Sequence, residues 1–370
     1  MRRNIVKIKK YIYGILDGYK NFKNYWNYED GCILSGCMHM YEASGEKIYR
    51  DFILKYLDPL ISEDGTIRNF DNSKYSIDSF NSGKILFFAY DQTGEDRYRK
   101  AIEYLWVRLK IYPRTSEGNF IHKSIYPDQV WLDGLYMAQP FYALYEKYFG
   151  SGDYSDILNQ FLNVRANMYI DEKCLYCHGY DTARVQPWAD KKSGLSESFW
   201  LRSAGWYMMA LVDIIDIIDK CDNICSRELS RIFIEAVEGI IKYEDEKTGM
   251  YYQVIDKGED SRNYMETSGS LMIAYSLMKG YRSGILKSKD YYYKGKRIFD
   301  YVTEEKLTEK EGKLSLTDIC CSAGLGPGEE RDGSPEYYFS EKIVSDDPKG
   351  IGVLMMAYAG CINESDMQEE

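Results

Sequence analysis

The sequence predicts an all-α protein, and three observations support that prediction. Long segments repeat apolar residues at the 3.6-residue spacing of a helix. One such stripe contains Ala204, Met208, Leu211, Ile215 and Ile218. Only 8 Pro occur in 370 residues, and few segments alternate apolar and polar residues as half-buried strands do. The third observation is a helical unit that recurs along the chain.

The recurring unit lies in the first third of the chain. Residues 41–53 echo residues 90–102 at a constant offset of 49, which pairs Gly45 with Gly94. Each copy predicts a helix that ends at the glycine, a tight turn, and a second helix that begins at an acidic residue. A weaker third copy covers 145–157. Repeats of this length fit an open solenoid or a closed α/α toroid, and the absence of a polar capping repeat favours closure.

Further helices follow in chain order. The apolar patterns predict them at 131–149, 198–219, 229–243, 268–280 and 291–302. Ser198 is a suitable N-cap for the helix at 198–219. No tract rich in Pro, Gly and Ser marks a linker, so we expect residues 1–370 to form a single domain.

Composition and charge exclude several classes of function. A net charge of −11 with dispersed Lys and Arg disfavours nucleic-acid binding, and no stretch approaches the roughly 20 apolar residues of a membrane span. The N-terminal segment is basic but lacks the apolar core of a secretory signal, so we expect a cytoplasmic protein with reduced thiols. Cys174, Cys177 and His178 match a haem-attachment pattern, but that chemistry requires an exported chain. We therefore expect ordinary thiols at these positions. Because Cys221 and Cys225 lack a nearby His, we expect no metal site.

Two acidic residues stand in polar clusters flanked by aromatic residues, as ligand sites in loops often do. Asp78 precedes the helix that ends in the second repeat turn, and Asp133 follows Trp131 at a predicted helix start. His122 and Lys123 lie a short distance upstream. An apolar setting favours the protonated form of Asp133, which a proton donor requires. The alternatives are structural: Asp78 as a helix N-cap, and Asp133 as a carboxylate that the helix dipole keeps ionised.

A cation and aromatic rings form the second group of candidates. Arg202 and Trp206 are four residues apart on a predicted helix and share a face, and Trp200 lies just before them. An arginine fork beside indole rings suits a site that binds a carboxylate and stacks on a sugar. His178 opens a further polar cluster. The structural alternative pairs Arg202 with Glu197 at the surface and places both indoles in the core.

Together these clusters resemble glycoside hydrolase family 105, the unsaturated rhamnogalacturonyl hydrolases, which are relatives of the unsaturated glucuronyl hydrolases. The resemblance runs from about Trp26 to Ala359. Its motifs are Asp78-Ser-Phe-Asn-Ser-Gly-Lys84, Val130-Trp-Leu-Asp-Gly-Leu-Tyr-Met137, His178-Gly-Tyr-Asp181 with Pro187-Trp-Ala-Asp190, Phe199-Trp-Leu-Arg-Ser-Ala-Gly-Trp-Tyr207, Thr267-Ser-Gly-Ser270 and Arg331-Asp-Gly-Ser-Pro-Glu-Tyr-Tyr338. Leu201 departs from the smaller residue of many relatives, which bears on substrate preference more than on chemistry.

The resemblance implies a six-hairpin (α/α)6 barrel with the active site in its central cavity. It assigns Asp133 as the general acid and base and Asp78 as the second essential carboxylate, and it requires no metal or cofactor. It implies substrate contacts at His178, Trp200, Arg202 and Trp206, with Trp131, Lys123 and His122 beside them.

The implied reaction removes a 4,5-unsaturated uronic acid from the non-reducing end of small pectin-derived oligosaccharides. The C4=C5 bond of that sugar is a vinyl ether, so Asp133 would protonate C4 and its carboxylate would then activate water for addition at C5. Arg202 or Lys123 would pair with the substrate carboxylate, and Asp78 would hold ring hydroxyls. Three alternatives stay open: a glucuronyl hydrolase for glycosaminoglycan fragments, a sugar epimerase, and a non-enzymatic helical-repeat module. The sequence leaves the aglycone and the oligomeric state open.

Overall fold

The computed structural model describes residues 2–218, 224–326 and 328–365. Its helices are α1 Arg2–Gly18, α2 Tyr28–Ser44, α3 Lys47–Leu57, α4 Lys84–Thr93, α5 Asp96–Lys110, α6 Leu132–Tyr148, α7 Ser155–Met168, α8 Leu201–Ile217, α9 Ile224–Ile240, α10 Thr267–Arg282, α11 Lys289–Tyr301, α12 Pro335–Ser340 and α13 Pro348–Ser365. The strands are β1 Gln129–Trp131, β2 Tyr169–Ile170, β3 Leu175–Tyr176, β4 Gly179–Asp181, β5 Leu307–Lys310, β6 Lys313–Leu316, β7 Ile319–Cys320 and β8 Ile343–Val344. They form four antiparallel pairs: β1 with β4, β2 with β3, β5 with β6, and β7 with β8.

Six helices form a closed inner ring. In ring order these are α2, α4, α6, α8, α10 and α13, and α13 packs back onto α2. The helices α3, α5, α7, α9 and α11 each follow an inner helix and pack outside it. The helix α1 supplies the sixth outer position, where Lys9 and Tyr13 both donate hydrogen bonds to Glu46 before α3. This ring confirms the six-hairpin (α/α)6 barrel.

The inner helix α8 is buried on all sides over most of its length. Every residue of α8 from Leu201 to Ile215 is buried, because the helix contacts two inner neighbours, its outer partner and the barrel axis. The predicted apolar stripe on this helix is therefore only part of a fully buried surface, as expected for a helix that is apolar almost all round.

The repeat turns are confirmed in detail. Gly45 and Gly94 adopt φ of 67° and 69°, in the left-handed region that favours glycine, just after α2 and α4. Their N–H groups donate to the carbonyls of Tyr41 and Tyr90 at 2.8 and 2.7 Å, which ends both helices in the same way.

The five helices predicted from apolar patterns are confirmed as α6, α8, α9, α10 and α11. Residue 219, the predicted end of one of them, lies outside the described residues. The predicted N-cap Ser198 is wrong: Trp200 holds that position in an extended conformation. The hydroxyl of Ser198 instead donates to the carbonyl of Gly333 at 2.8 Å, because the chain after β4 packs against the segment before α12.

Candidate active site

A cavity of about 680 Å³ opens where the inner helices begin. Since the inner helices all run in the same direction, their N-terminal ends and the segments before them meet at one end of the barrel. The predicted residues that line the cavity are Asp78, His122, Lys123, Trp131, Asp133, Trp200, Arg202 and Trp206. The remaining predicted residue, His178, lies directly behind Asp133.

The pairing of β1 with β4 brings Asp133 and His178 together. The two strands run antiparallel with Trp131 opposite Gly179, and the N–H of Leu132 donates to the carbonyl of His178 at 3.1 Å. Nε2 of His178 then lies 3.2 Å from Oδ2 of Asp133. Asp133 is in the first turn of α6, as the structural alternative also required, but its side chain reaches the cavity and is 13% exposed.

His178 connects Asp133 to a buried tyrosine. Its Nδ1 lies 2.6 Å from the hydroxyl of Tyr338, and both residues are fully buried. When that hydroxyl donates to Nδ1, the ring proton sits on Nε2 and faces Asp133. Trp200 covers this contact, with ring centroids 4.8 Å from His178 and 6.0 Å from Tyr338. We call the series Asp133, His178 and Tyr338 the carboxylate relay.

Asp78 forms the second acidic centre of the cavity. It lies in the 3-10 turn Ile77–Phe80, whose N-cap is Ser76, so the expectation that Asp78 is itself an N-cap is wrong. Its Oδ2 is 2.8 Å from the Lys123 ammonium, and its Oδ1 is 3.9 Å from Nε2 of His122. Burial acts to raise the pKa of Asp78, but Lys123 and His122 together outweigh it and hold the pKa below its usual value.

Stacked aromatic rings form one wall of the cavity. His122 stacks on Trp131 with centroids 4.0 Å apart, and Tyr126 lies 5.0 Å from the same indole. Burial lowers the pKa of His122 to about 4, so it packs as a neutral ring near pH 7. Trp206 stacks on Tyr136 at 4.7 Å. Trp131 and Trp206 are only 5% and 2% exposed, so little of either ring is open to a ligand.

Arg202 lines the cavity but is bound by the protein. Its Nη1 lies 3.9 Å from the buried carboxylate of Glu266, and it donates to Ser268 Oγ at 3.3 Å and to the carbonyl of Cys320. The expected surface pair with Glu197 is therefore wrong, because the guanidinium joins the start of α10 to β7. A role for Arg202 in substrate binding stays a prediction.

Cations and acids of the described residues line the cavity in near balance. The cations are Lys23, Lys74, Lys123, Arg202, Arg331 and Lys349. The acids are Glu29, Asp71, Asp78, Asp133 and Asp347. This region is thus far less acidic than a chain of net charge −11, and an anionic ligand meets no excess of negative charge at the site.

Two buried residues of the site were not predicted. Tyr338 completes the carboxylate relay, and Glu266 holds Arg202. Both lie within or next to the motifs that carried the family resemblance, and this is the only sequence feature that distinguishes them. The sequence around Tyr338 and Glu266 does not indicate their roles, because each contacts a residue more than 60 positions away in the chain.

The described residues contain no group of three side chains that could hold a metal ion. Cys221 lies outside the described residues, and the other cysteines are free thiols. Within the described ranges, no helix combines the length and the apolar character needed to cross a membrane.

Comparisons with known proteins agree with one another. Residues 4–364 match the model of Glycosyl Hydrolase Family 88. A glycoside hydrolase from family 105 of C. acetobutylicum ATCC 824 is 40% identical, with a TM-score of 0.90 over 97% of this chain and 98% of that chain. The unsaturated rhamnogalacturonyl hydrolase YesR of Bacillus subtilis is 26% identical over 76% of this chain and 77% of its own length. An unsaturated glucuronyl hydrolase of Bacillus sp. GL1, 13% identical, shares the fold with a TM-score of 0.65 over 96% of this chain and 95% of that chain.

Proposed function

This chain belongs to the glycoside hydrolases of families 88 and 105, which act on unsaturated uronyl sugars, and we propose that its substrates are pectin-derived. In this proposal it removes the 4,5-unsaturated uronic acid from the non-reducing end of short oligosaccharides. The proposal is supported by YesR, whose name states a rhamnogalacturonyl substrate and whose identity is 26%. The glucuronyl hydrolase from Bacillus sp. GL1 supports the fold alone, because only 13% of its residues are identical.

The contact between Asp133 and His178 is the observation that carries the proposed mechanism. Protonated Asp133 gives its proton to C4 of the vinyl ether, which leaves positive charge shared between C5 and the ring oxygen. The resulting carboxylate accepts a proton from water as that water adds to C5. The hemiketal then opens and the aglycone leaves. Nε2 of His178 lies 3.2 Å from Oδ2, too poorly aligned for a hydrogen bond but close enough for an imidazole that carries its proton there to favour the carboxylate between the two proton transfers.

Asp78 has a different role in this proposal. Its pKa is held below the usual value, so it is a carboxylate when Asp133 must be a proton donor. An ionised carboxylate accepts hydrogen bonds and therefore suits the hydroxyls of the sugar ring. In this proposal Asp133 transfers protons and Asp78 binds hydroxyls, and two acids in different environments with different roles are common in acid and base catalysis.

Incubation with unsaturated rhamnogalacturonan disaccharide tests the proposal. Hydration of the double bond removes its ultraviolet absorbance, and the unsaturated glucuronyl disaccharide from a glycosaminoglycan serves as the comparison. We expect faster turnover of the pectin-derived sugar. Asp133→Asn should reduce kcat by at least about 10²-fold, since a positioned proton donor contributes ~10²–10⁴-fold. Equal or faster turnover of the glucuronyl sugar would reject the pectin assignment, and near-normal turnover by Asp133→Asn would reject the mechanism.

A further inference from the structure

The cations of the cavity differ in whether an acid is already bound to them. The paired ones are Lys23 with Glu29, Lys74 with Asp71, Lys123 with Asp78, Arg202 with Glu266, and Lys349 with Asp347. Arg331 is the exception: its guanidinium forms no ion pair or hydrogen bond with any side chain that the structure describes, a set that does not include the side chain of Glu329, and Arg331 is exposed. Among the cavity cations it is thus the one for which the described side chains supply no acidic partner.

The backbone around Arg331 holds this side chain in place. A methyl group at Gly326 would lie 2.9 Å from Cβ and 3.0 Å from Cδ of Arg331, so the arginine stem packs directly on that glycine. A methyl at Gly324 would lie 3.3 Å from Nη1 of Arg331 and also 3.3 Å from Cη2 of Trp131. The N–H of Gly324 donates to the hydroxyl of Tyr337 at 3.0 Å, which anchors the glycine segment. The guanidinium therefore lies beside the indole that borders the catalytic centre.

We propose that Arg331 binds a carboxylate of the substrate, an inference that rests on the proposed function. A guanidinium with free donors presents two parallel N–H groups that match a carboxylate in geometry and charge. Two carboxylates have this chemistry: that of the reacting unsaturated sugar, and that of a second uronic acid farther along a longer oligosaccharide. In both cases Arg331, rather than an already paired cation, sets the preference of the cavity for an anion.

Arg331→Gln, which removes the charge and keeps a polar side chain, tests the proposal. The matched control is Lys74→Gln, because Lys74 is also an exposed cation of the cavity but its ammonium is already 3.2 Å from Asp71. KM and kcat are measured with the unsaturated disaccharide, whose aglycone is neutral, and with a longer fragment that carries a second uronic acid. We expect KM to rise about tenfold for Arg331→Gln, which a charge-assisted bidentate contact supports, and less than about twofold for Lys74→Gln. Arg331→Lys should recover part of the loss.

The two substrates separate the sources of the carboxylate. A rise in KM with both assigns Arg331 to the reacting sugar, and a rise confined to the longer fragment assigns it to the second uronic acid. A rise no larger than that of Lys74→Gln on either substrate overturns the proposal. If the unaltered enzyme turns over neither substrate, the proposed function fails separately. Binding of digalacturonate, measured by calorimetry, then decides the role of Arg331, and equal affinity in the unaltered protein and Arg331→Gln rejects it.

Discussion

The hydroxyl of Tyr338 is the group whose removal tests the carboxylate relay most directly. It lies 2.6 Å from Nδ1 of His178 in fully buried surroundings. Tyr338→Phe deletes one oxygen and leaves Nδ1 without a hydrogen-bond partner among the described residues. A buried polar atom left unpaired costs about 1–3 kcal/mol, so the free energy of unfolding should fall by that amount.

The same substitution changes the chemistry of the relay. Without the hydroxyl, the His178 proton is free to move to Nδ1, and Nε2 then presents a lone pair to Asp133 in place of an N–H. The 3.2 Å contact between Nε2 and Oδ2 of Asp133 is not an aligned hydrogen bond, so the substitution changes the partial charge that faces the carboxylate. A full hydrogen bond to a charged group contributes about 1.5–3 kcal/mol, so this unaligned contact should account for the lower end of that range, a loss in kcat of about 10-fold. KM should change little, because Tyr338 is buried behind His178.

The assay follows loss of the conjugated double bond by absorbance, together with urea unfolding of each variant. Tyr11→Phe is the matched control, since the buried Tyr11 hydroxyl is also 2.6 Å from its partner, Asp346, but belongs to the outer helix α1. It should lose stability and keep its kcat. If Tyr338→Phe lowers kcat no more than Tyr11→Phe does, the relay takes no part in the reaction.

Three further changes test other contacts. Lys123→Met removes the ammonium that holds the Asp78 pKa down. The midpoint of the acid limb in a plot of kcat/KM against pH should therefore shift to higher pH by about one to three units, and an unchanged midpoint would contradict this assignment. Asp213→Ala in α8 removes the acid 2.8 Å from Lys279. The free energy of unfolding in urea should then fall by about 3 kcal/mol, and a fall below about 1 kcal/mol would show that the buried pair does not stabilise the fold. Burial lowers the His122 pKa from 6.5 to about 4, so the unfolded chain binds the proton more readily between those values. The free energy of unfolding should therefore fall by up to about 3 kcal/mol from pH 6.5 to pH 4, and His122→Gln should flatten that dependence.

The helical hairpins could be predicted from sequence because their determinants are local. Apolar residues at helical spacing and a glycine after each helix depend only on neighbours within a few turns, and Gly45 and Gly94 behave in the structure as the repeat predicted. Closure of the ring depends instead on α13 packing against α2, two elements at opposite ends of the chain. Periodicity favoured closure without deciding it, and the family resemblance supplied the number of hairpins.

The site shows the same division. Sequence alone selected Asp78, Asp133 and Arg202 by residue type and setting, and all three line one cavity. Tertiary structure decided their partners, because a hydrogen bond or ion pair between distant segments leaves no trace in either segment. The short β1–β4 pair places His178 behind Asp133, and the buried Glu266 lies 3.9 Å from Arg202, the arginine that the sequence assigned to the substrate. Which residues carry charge was therefore readable from the chain, and which charges remain available to a ligand was decided by the fold.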